Sequence, residues 1–200
     1  MKAKAAIAGA VAAVLVLVSA ACTNGNTGDD DERGGARAST TTVPERAGFT
    51  IALIDANGTT PPSDVLIAHL ARQLDNYLDV AIVSPLRSGQ PAGDLSALLS
   101  AEALARLADP ATRATMVDEG LPPASRLVSV GVANANLSSV AAASGAVGVV
   151  GARIDVKLHA VGPAIDIDII RQGDLVFAEG SVPDTWVIDS FSLRTERHTR

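Results

Sequence analysis

Few residues in this 200-residue chain have the type and spacing that chemistry needs. His159 and Asp166 flank the dipeptide Gly162-Pro163, which reads as a hairpin turn. Pairing across it sets His159 opposite Asp166 and Lys157 opposite Asp168. An imidazole beside a carboxylate can move protons on and off a substrate. The same pair also fits a cross-strand contact on a solvated or dimer-forming face, contributing about 0.2–1 kcal/mol. Tyr77 offers a hydroxyl on the apolar side of a predicted helix, and His69 flanks that side. Both are possible pocket-lining groups, although such a tyrosine is commonly core with its hydroxyl at the rim.

Other chemistries lack their parts. The three histidines stand apart in sequence and the single cysteine, Cys22, is taken up by the N-terminal anchor described below, so no zinc ligand set is expected. The serines have no base at a recognisable spacing and no GxSxG elbow. Gly148 and Gly151 lie inside a strand pattern, where a bulge or close packing explains them better than a phosphate loop. No catalytic constellation and no cofactor are expected.

The elements that must position these residues follow from periodicity. Phe49–Ile54 reads as a strand, ended by Asn57-Gly58. After Pro61-Pro62, Ser63 caps a helix with Leu66, Leu70, Leu74 and Leu78 at intervals of four, ending before Pro85. A short helix is expected over Leu95–Leu107, broken near Ser100. Another starts at Asp109-Pro110 and is stopped by Gly120. The period then switches to two. Val128, Val130 and Val132 alternate, then Ile154, Val156 and Leu158, then Ile165, Ile167 and Ile169. Leu175 and Phe177 continue, and a last strand covers Trp186–Leu193. Helices followed by a four-stranded antiparallel meander make an α+β fold, with the helices covering the apolar sheet face. That places Asp155, Lys157, His159, Asp166 and Asp168 outside and leaves an aliphatic interior.

The N-terminus reads as an address. Lys2 and Lys4 precede the apolar run Ala5–Val18, then Ser19, Ala20 and Ala21 precede Cys22. This is the pattern of a secretory signal peptide over residues 1–21. The run is short for a spanning helix, which needs about 20 residues. Residues 22–47 contain almost no apolar side chains and include the acidic cluster Asp29–Glu32, so they are expected to stay disordered. At that length a flexible tether reaches about 25–30 Å. The globular domain then covers 48–200. The net charge is −6, and removing the leader takes away two lysines and no acid. An acidic chain repels nucleic-acid phosphates, so nucleic acid is not an expected partner. Aromatic side chains are scarce, leaving few platforms on which bases, sugars or steroid rings could stack.

Val18-Ser19-Ala20-Ala21-Cys22 resembles the lipobox of bacterial lipoproteins, with Ser19 where the family places a bulky aliphatic residue. The resemblance implies cleavage between Ala21 and Cys22, a diacylglycerol on the thiol and a further acyl chain (palmitate) on the new amine. Two or more chains anchor stably where one is marginal. The location implied is the extracytoplasmic face of the cell membrane. From Ser63 to Leu193, the order of one long helix, two short helices and a meander resembles the nuclear-transport-factor-two-like cone, shared with ketosteroid isomerases and polyketide cyclases. The segment YLDVAIVSPLRSGQPAGDLSALLSAEALARLADPATRATMVDEGLP is similar to exported actinobacterial proteins of that fold and to domains accompanying lipid-importing Mce systems. Three functions are therefore in view. The first is non-enzymatic binding of an envelope protein partner or a small apolar or lipid ligand. The second is an exported isomerase-like or cyclase-like enzyme, which requires a buried carboxylate, His or Tyr with a shifted pKa. The third is a structural or assembly factor of an Mce-type system, a homodimer through the charged sheet face.

Overall fold

The computed structural model describes residues 48–54, 61–125, 127–182 and 184–200. The leader at 1–21, Ser19, Ala21, Cys22, the tether at 22–47 and the Asn57-Gly58 turn lie outside the described residues.

Strand β1 covers Thr50–Leu53, and helix α1 covers Asp64–Tyr77. Ser63 caps α1 as expected, its Oγ accepting from the Leu66 N–H at 3.2 Å. Leu70, Leu74 and Tyr77 form its buried face. The helical path does not end before Pro85. It widens into a π-helical stretch, Leu78–Val83, in which Ser84 N–H bonds to Asp79 O, and continues as α2, Ser84–Ser88. The wider turn accommodates a proline that would break a regular helix. Pro85 has no N–H to give the Ala81 carbonyl, and that carbonyl instead accepts the backbone N–H of Asp118 at 2.9 Å. Gly89, at φ 65°, ends α2.

Helix α3 covers Ala101–Arg106, capped by Ser100, so the expected break near Ser100 is its start. Helix α4 covers Pro110–Met116, with Asp109 accepting from the Thr112 N–H at 2.8 Å. It stops at Met116, before Gly120, and Val117 is already extended.

Four long strands follow: β2 Leu127–Ala141, β3 Val147–Gly162, β4 Ile165–Glu179 and β5 Trp186–Thr199. The last runs six residues beyond the expected Leu193. They form the expected antiparallel meander, but the sheet has five strands. β1 adds to the β2 edge in parallel, with Thr50 opposite Asn134 and Leu53 opposite Leu137. Its distance in sequence from β2 hid that pairing, because parallel neighbours require a long crossover. Here the crossover is the whole helical segment.

Two irregularities reset which side chains face the helices. Between Val130 and Val132 the β2–β3 register slips, so Val128 is buried but Ala133, Ala135 and Leu137 take over the inward positions. The simple alternation through Val132 is thus broken at Gly131. A second slip puts Val176 opposite Ser190 and Phe177 opposite Ile188. The β3–β4 register also differs from the expected one. Gly162 pairs with Ile165, which makes Pro163-Ala164 the two-residue loop and sets His159 opposite Asp168 and Lys157 opposite Ile170. The helices cover the inward face: α1, α3 and α4 touch β5, and α2 touches β2. At the sheet's far edge, the segment before α3 closes on β5, with Ile188 N–H bonding Leu98 O and Ser100 N–H bonding Ile188 O.

Candidate functional site

The interior is not purely aliphatic. Arg171 occupies an inward position on β4, between Ile169 and Leu175, and its side chain is 0 % exposed. A buried guanidinium is tolerated only when its donors find acceptors. Nη2 donates to Asp118 Oδ2 at 2.7 Å, and Nη1 donates to the Thr115 carbonyl at 2.6 Å. Nη1 also reaches the Tyr77 hydroxyl at 3.3 Å. That hydroxyl donates to the Met116 carbonyl at 3.0 Å. Arg197, inward on β5 and part-exposed, bonds the second Asp118 oxygen.

Each partner is positioned by a distinct local cause. Tyr77 follows Gln73 and His69 at helical spacing along α1. Asp118 follows α4 and is held by its own N–H on Ala81 O. Its neighbour Glu119 is gripped by Arg113, whose Nε and Nη2 reach it at 2.5 and 3.1 Å, and it accepts the Ala92 N–H at 2.9 Å. That grip holds the Glu119 carboxyl below its usual range. The turn carrying Asp118 is therefore fastened on both sides.

Three buried side-chain atoms have no hydrogen-bond partner among the described residues: Arg171 Nε, Thr195 Oγ1 and Gln73 Oε1. Thr195 lies directly opposite Arg171 across β4 and β5. Gln73 lies one turn before Tyr77, with Nε2 3.4 Å from His69 Nε2. The cluster thus saturates Asp118 and Tyr77 while leaving one cationic donor, one hydroxyl and one amide acceptor uncommitted. Between them these atoms leave both donating and accepting positions open at the helix–sheet seam. The cluster is poorly arranged for acid–base work, since both carboxylate oxygens and the phenol proton are already engaged.

Burial pushes the Tyr77 hydroxyl above its ordinary pKa, with the Arg171 charge pulling the other way. Burial alone would lower the Arg171 guanidinium; the facing Tyr77 and Asp118 outweigh it and hold it high. A testable consequence follows for base. Unfolded tyrosine ionises near about 10. A raised folded value stabilises the domain below that pH, and the stabilisation is lost as pH climbs from about 10 to the folded value. Tyr77 is the only tyrosine, so tyrosinate absorbance reports it alone. The titration is expected to lag the free amino acid and then rise together with unfolding. A normal curve in folded protein would show that the hydroxyl is solvated.

Of the residues singled out from sequence, Tyr77 is in the cluster. His69 is half-buried at its margin and touches it only through Gln73. His159 and Asp166 do meet, at 2.9 Å, although they are diagonal neighbours and not directly opposed. They lie on the outer face, beside a recess of about 290 Å³ that Lys157, Asp168 and Arg200 also line. The histidines are less separate than their spacing suggests, since His159 and His198 both face Asp168 across the sheet. Arg200 donates to Asp168 at 2.7 Å and holds its carboxyl below the usual range. Among the described residues no group of three or more His, Cys, Asp or Glu is placed to hold a metal ion. Arg171 and Asp118 were not anticipated. Arg171 had a signal, because the inward parity of Ile167 and Ile169 lands on it; Asp118, in a loop, had none.

Among the described residues no helix is long and apolar enough to cross a membrane. Comparison with protein-family models, with curated proteins and with solved structures finds no match to this chain.

Proposed function

We propose that the protein is an extracytoplasmic lipoprotein, anchored through Cys22, whose cone-like α+β domain binds a small ligand between its helices and its sheet. The observation that carries the binding half of this reading is the three unpartnered buried atoms, on Arg171, on Thr195 opposite it and on Gln73 one turn before Tyr77. A buried polar group without a partner costs about 1–3 kcal/mol. A ligand with a polar head would remove that cost on binding, and its apolar body would lie against the aliphatic residues that surround the cluster. The anchoring half rests on the leader, the small residues before Cys22 and the apolar-poor stretch after it. The likeness to the nuclear-transport-factor-two-like cone, and to domains of Mce systems, agrees with the helix-on-sheet architecture.

The isomerase-like reading finds its premise in buried Tyr77 and Asp118, but a free acid or base is what it needs, and Arg171, Arg197 and Met116 occupy those atoms. Binding accounts for the same residues without that difficulty.

Native mass spectrometry of the mature protein, extracted from its own membranes in detergent, tests both halves. The expected N-terminus is an acylated Cys22. The expected spectrum also shows a small amphipathic molecule that is retained by the parent and lost on Thr195→Val combined with Gln73→Leu. An unmodified thiol or an intact Met1 would remove the anchor. A bare polypeptide from every preparation would remove the ligand.

A further inference from the structure

A second convergence of polar groups lies on the opposite, outer face of the sheet, where a groove of about 530 Å³ crosses β2 to β5. Its floor is backbone around Gly173, and two cross-strand rows of side chains form its walls. Spanning three interstrand gaps, it is about 14 Å long.

The charges in the groove balance in number, one pair joined directly and the other two groups linked through the Gln172 amide. Arg153 grips Asp174 through Nε and Nη2 at 2.9 and 3.1 Å. Arg194 donates to Gln172 Oε1 at 2.8 Å, and Gln172 Nε2 donates in turn to Asp155 at 3.0 Å. Two guanidinium groups and two carboxylates cancel. A charged ligand that engaged Arg153 or Asp174 would have to break their planar, bidentate pair. On the β2 side, Asn134 and Asn136 point the same way, two residues apart, both exposed. Their side-chain amides make no hydrogen bond among the described residues, so each offers two donors and an acceptor.

We infer that this groove binds a neutral polyhydroxylated ligand, a short linear saccharide, with Asn134 and Asn136 as the recognising residues. Adjacent hydroxyls donate and accept at once, which is what two free amides beside a charge-neutral, pre-ordered wall can satisfy. The inference stands on the outer face alone and does not depend on the interior ligand. With no aromatic side chain in the groove to stack on a ring, hydrogen bonds alone set the affinity, and the dissociation constant is expected on the order of 1 mM.

The test is a two-dimensional NMR titration of the full mature chain with maltotriose, triacetylchitotriose and the acidic trigalacturonate. At least one neutral trisaccharide is expected to shift the Asn134 and Asn136 side-chain amides without moving Tyr77. The double variant N134A/N136A, changed only at exposed outer positions, is expected to bind about tenfold more weakly or worse. Silence with both neutral sugars, shifts that survive the double variant, or binding of trigalacturonate alone would each overturn the assignment. So would a concentration-dependent dimer that buries the asparagine pair, since the face would then belong to a second copy.

Discussion

Asp118→Ala is expected to lower the unfolding free energy by about 3–5 kcal/mol, the cost of leaving a buried ion pair with one member. The substitution strips Arg171 of its carboxylate in a site where its side chain is 0 % exposed, and it frees the inward end of Arg197. The guanidinium cannot escape by losing its proton, so the domain must either admit water or open. A denaturant titration reads the effect as a lower midpoint at an unchanged slope. The paired change Asp118→Leu with Arg171→Met is expected to restore much of the loss, because apolar residues of similar volume avoid the desolvation of both charges. A loss below about 1 kcal/mol for Asp118→Ala would place the cluster in a wet site, of the kind where ion pairs contribute little.

Gly173→Ala is expected to be comparably severe, about 3 kcal/mol or more, for an unrelated reason. Gly173 sits in the middle of β4 at φ 146°, a conformation open almost only to glycine. A β-carbon there would lie 2.9 Å from Leu193 Cα and would drive into the Ser192 carbonyl. The atoms it meets are backbone of the neighbouring strand, which cannot swing aside. Gly145→Ala separates conformation from crowding. Gly145 is at φ 84° in the β2–β3 turn with nothing within 4 Å of the added carbon, so only a left-handed cost of about 1–2 kcal/mol applies. Equal losses in the two variants would mean that the neighbouring strand yields at Gly173.

The helix layer was legible because its information is local. Leu70, Leu74 and Tyr77 repeat at helical spacing, and Ser63 and Asp109 announce two of the starts, whereas Ser100, read as a break, caps a third. Pro85 misled because a stop signal holds for a regular helix and not for a π-helical one, and the Ala81 carbonyl that Pro85 cannot serve accepts the Asp118 N–H instead. The strands were legible as strands, but their registers were not. A bulge needs only one residue, and Gly131 reversed the facing of everything after it in β2. The turn at Pro163-Ala164 slipped in the same way, turning a direct His159–Asp166 pair into a diagonal one. The candidate site was half visible. Tyr77 stood out on an apolar stripe and Arg171 lay on an alternation that could have been followed one step further. Asp118 gained its meaning only from the Ala81 carbonyl and Arg171, which join it to segments far away in sequence.

The parallel attachment of β1 has a mechanical meaning. Whatever load reaches the domain from its N-terminal side arrives first at Phe49, whose N–H is clasped by Asp75 at 2.9 Å, and then at the four residues of β1. Pulled along their own axis, those residues load their bonds to β2 together, in shear; pulled sideways, they unzip one bond after another. The direction of tension would then decide whether the first strand stays on the sheet, because β1 hands its load to the four-stranded meander through those bonds to β2.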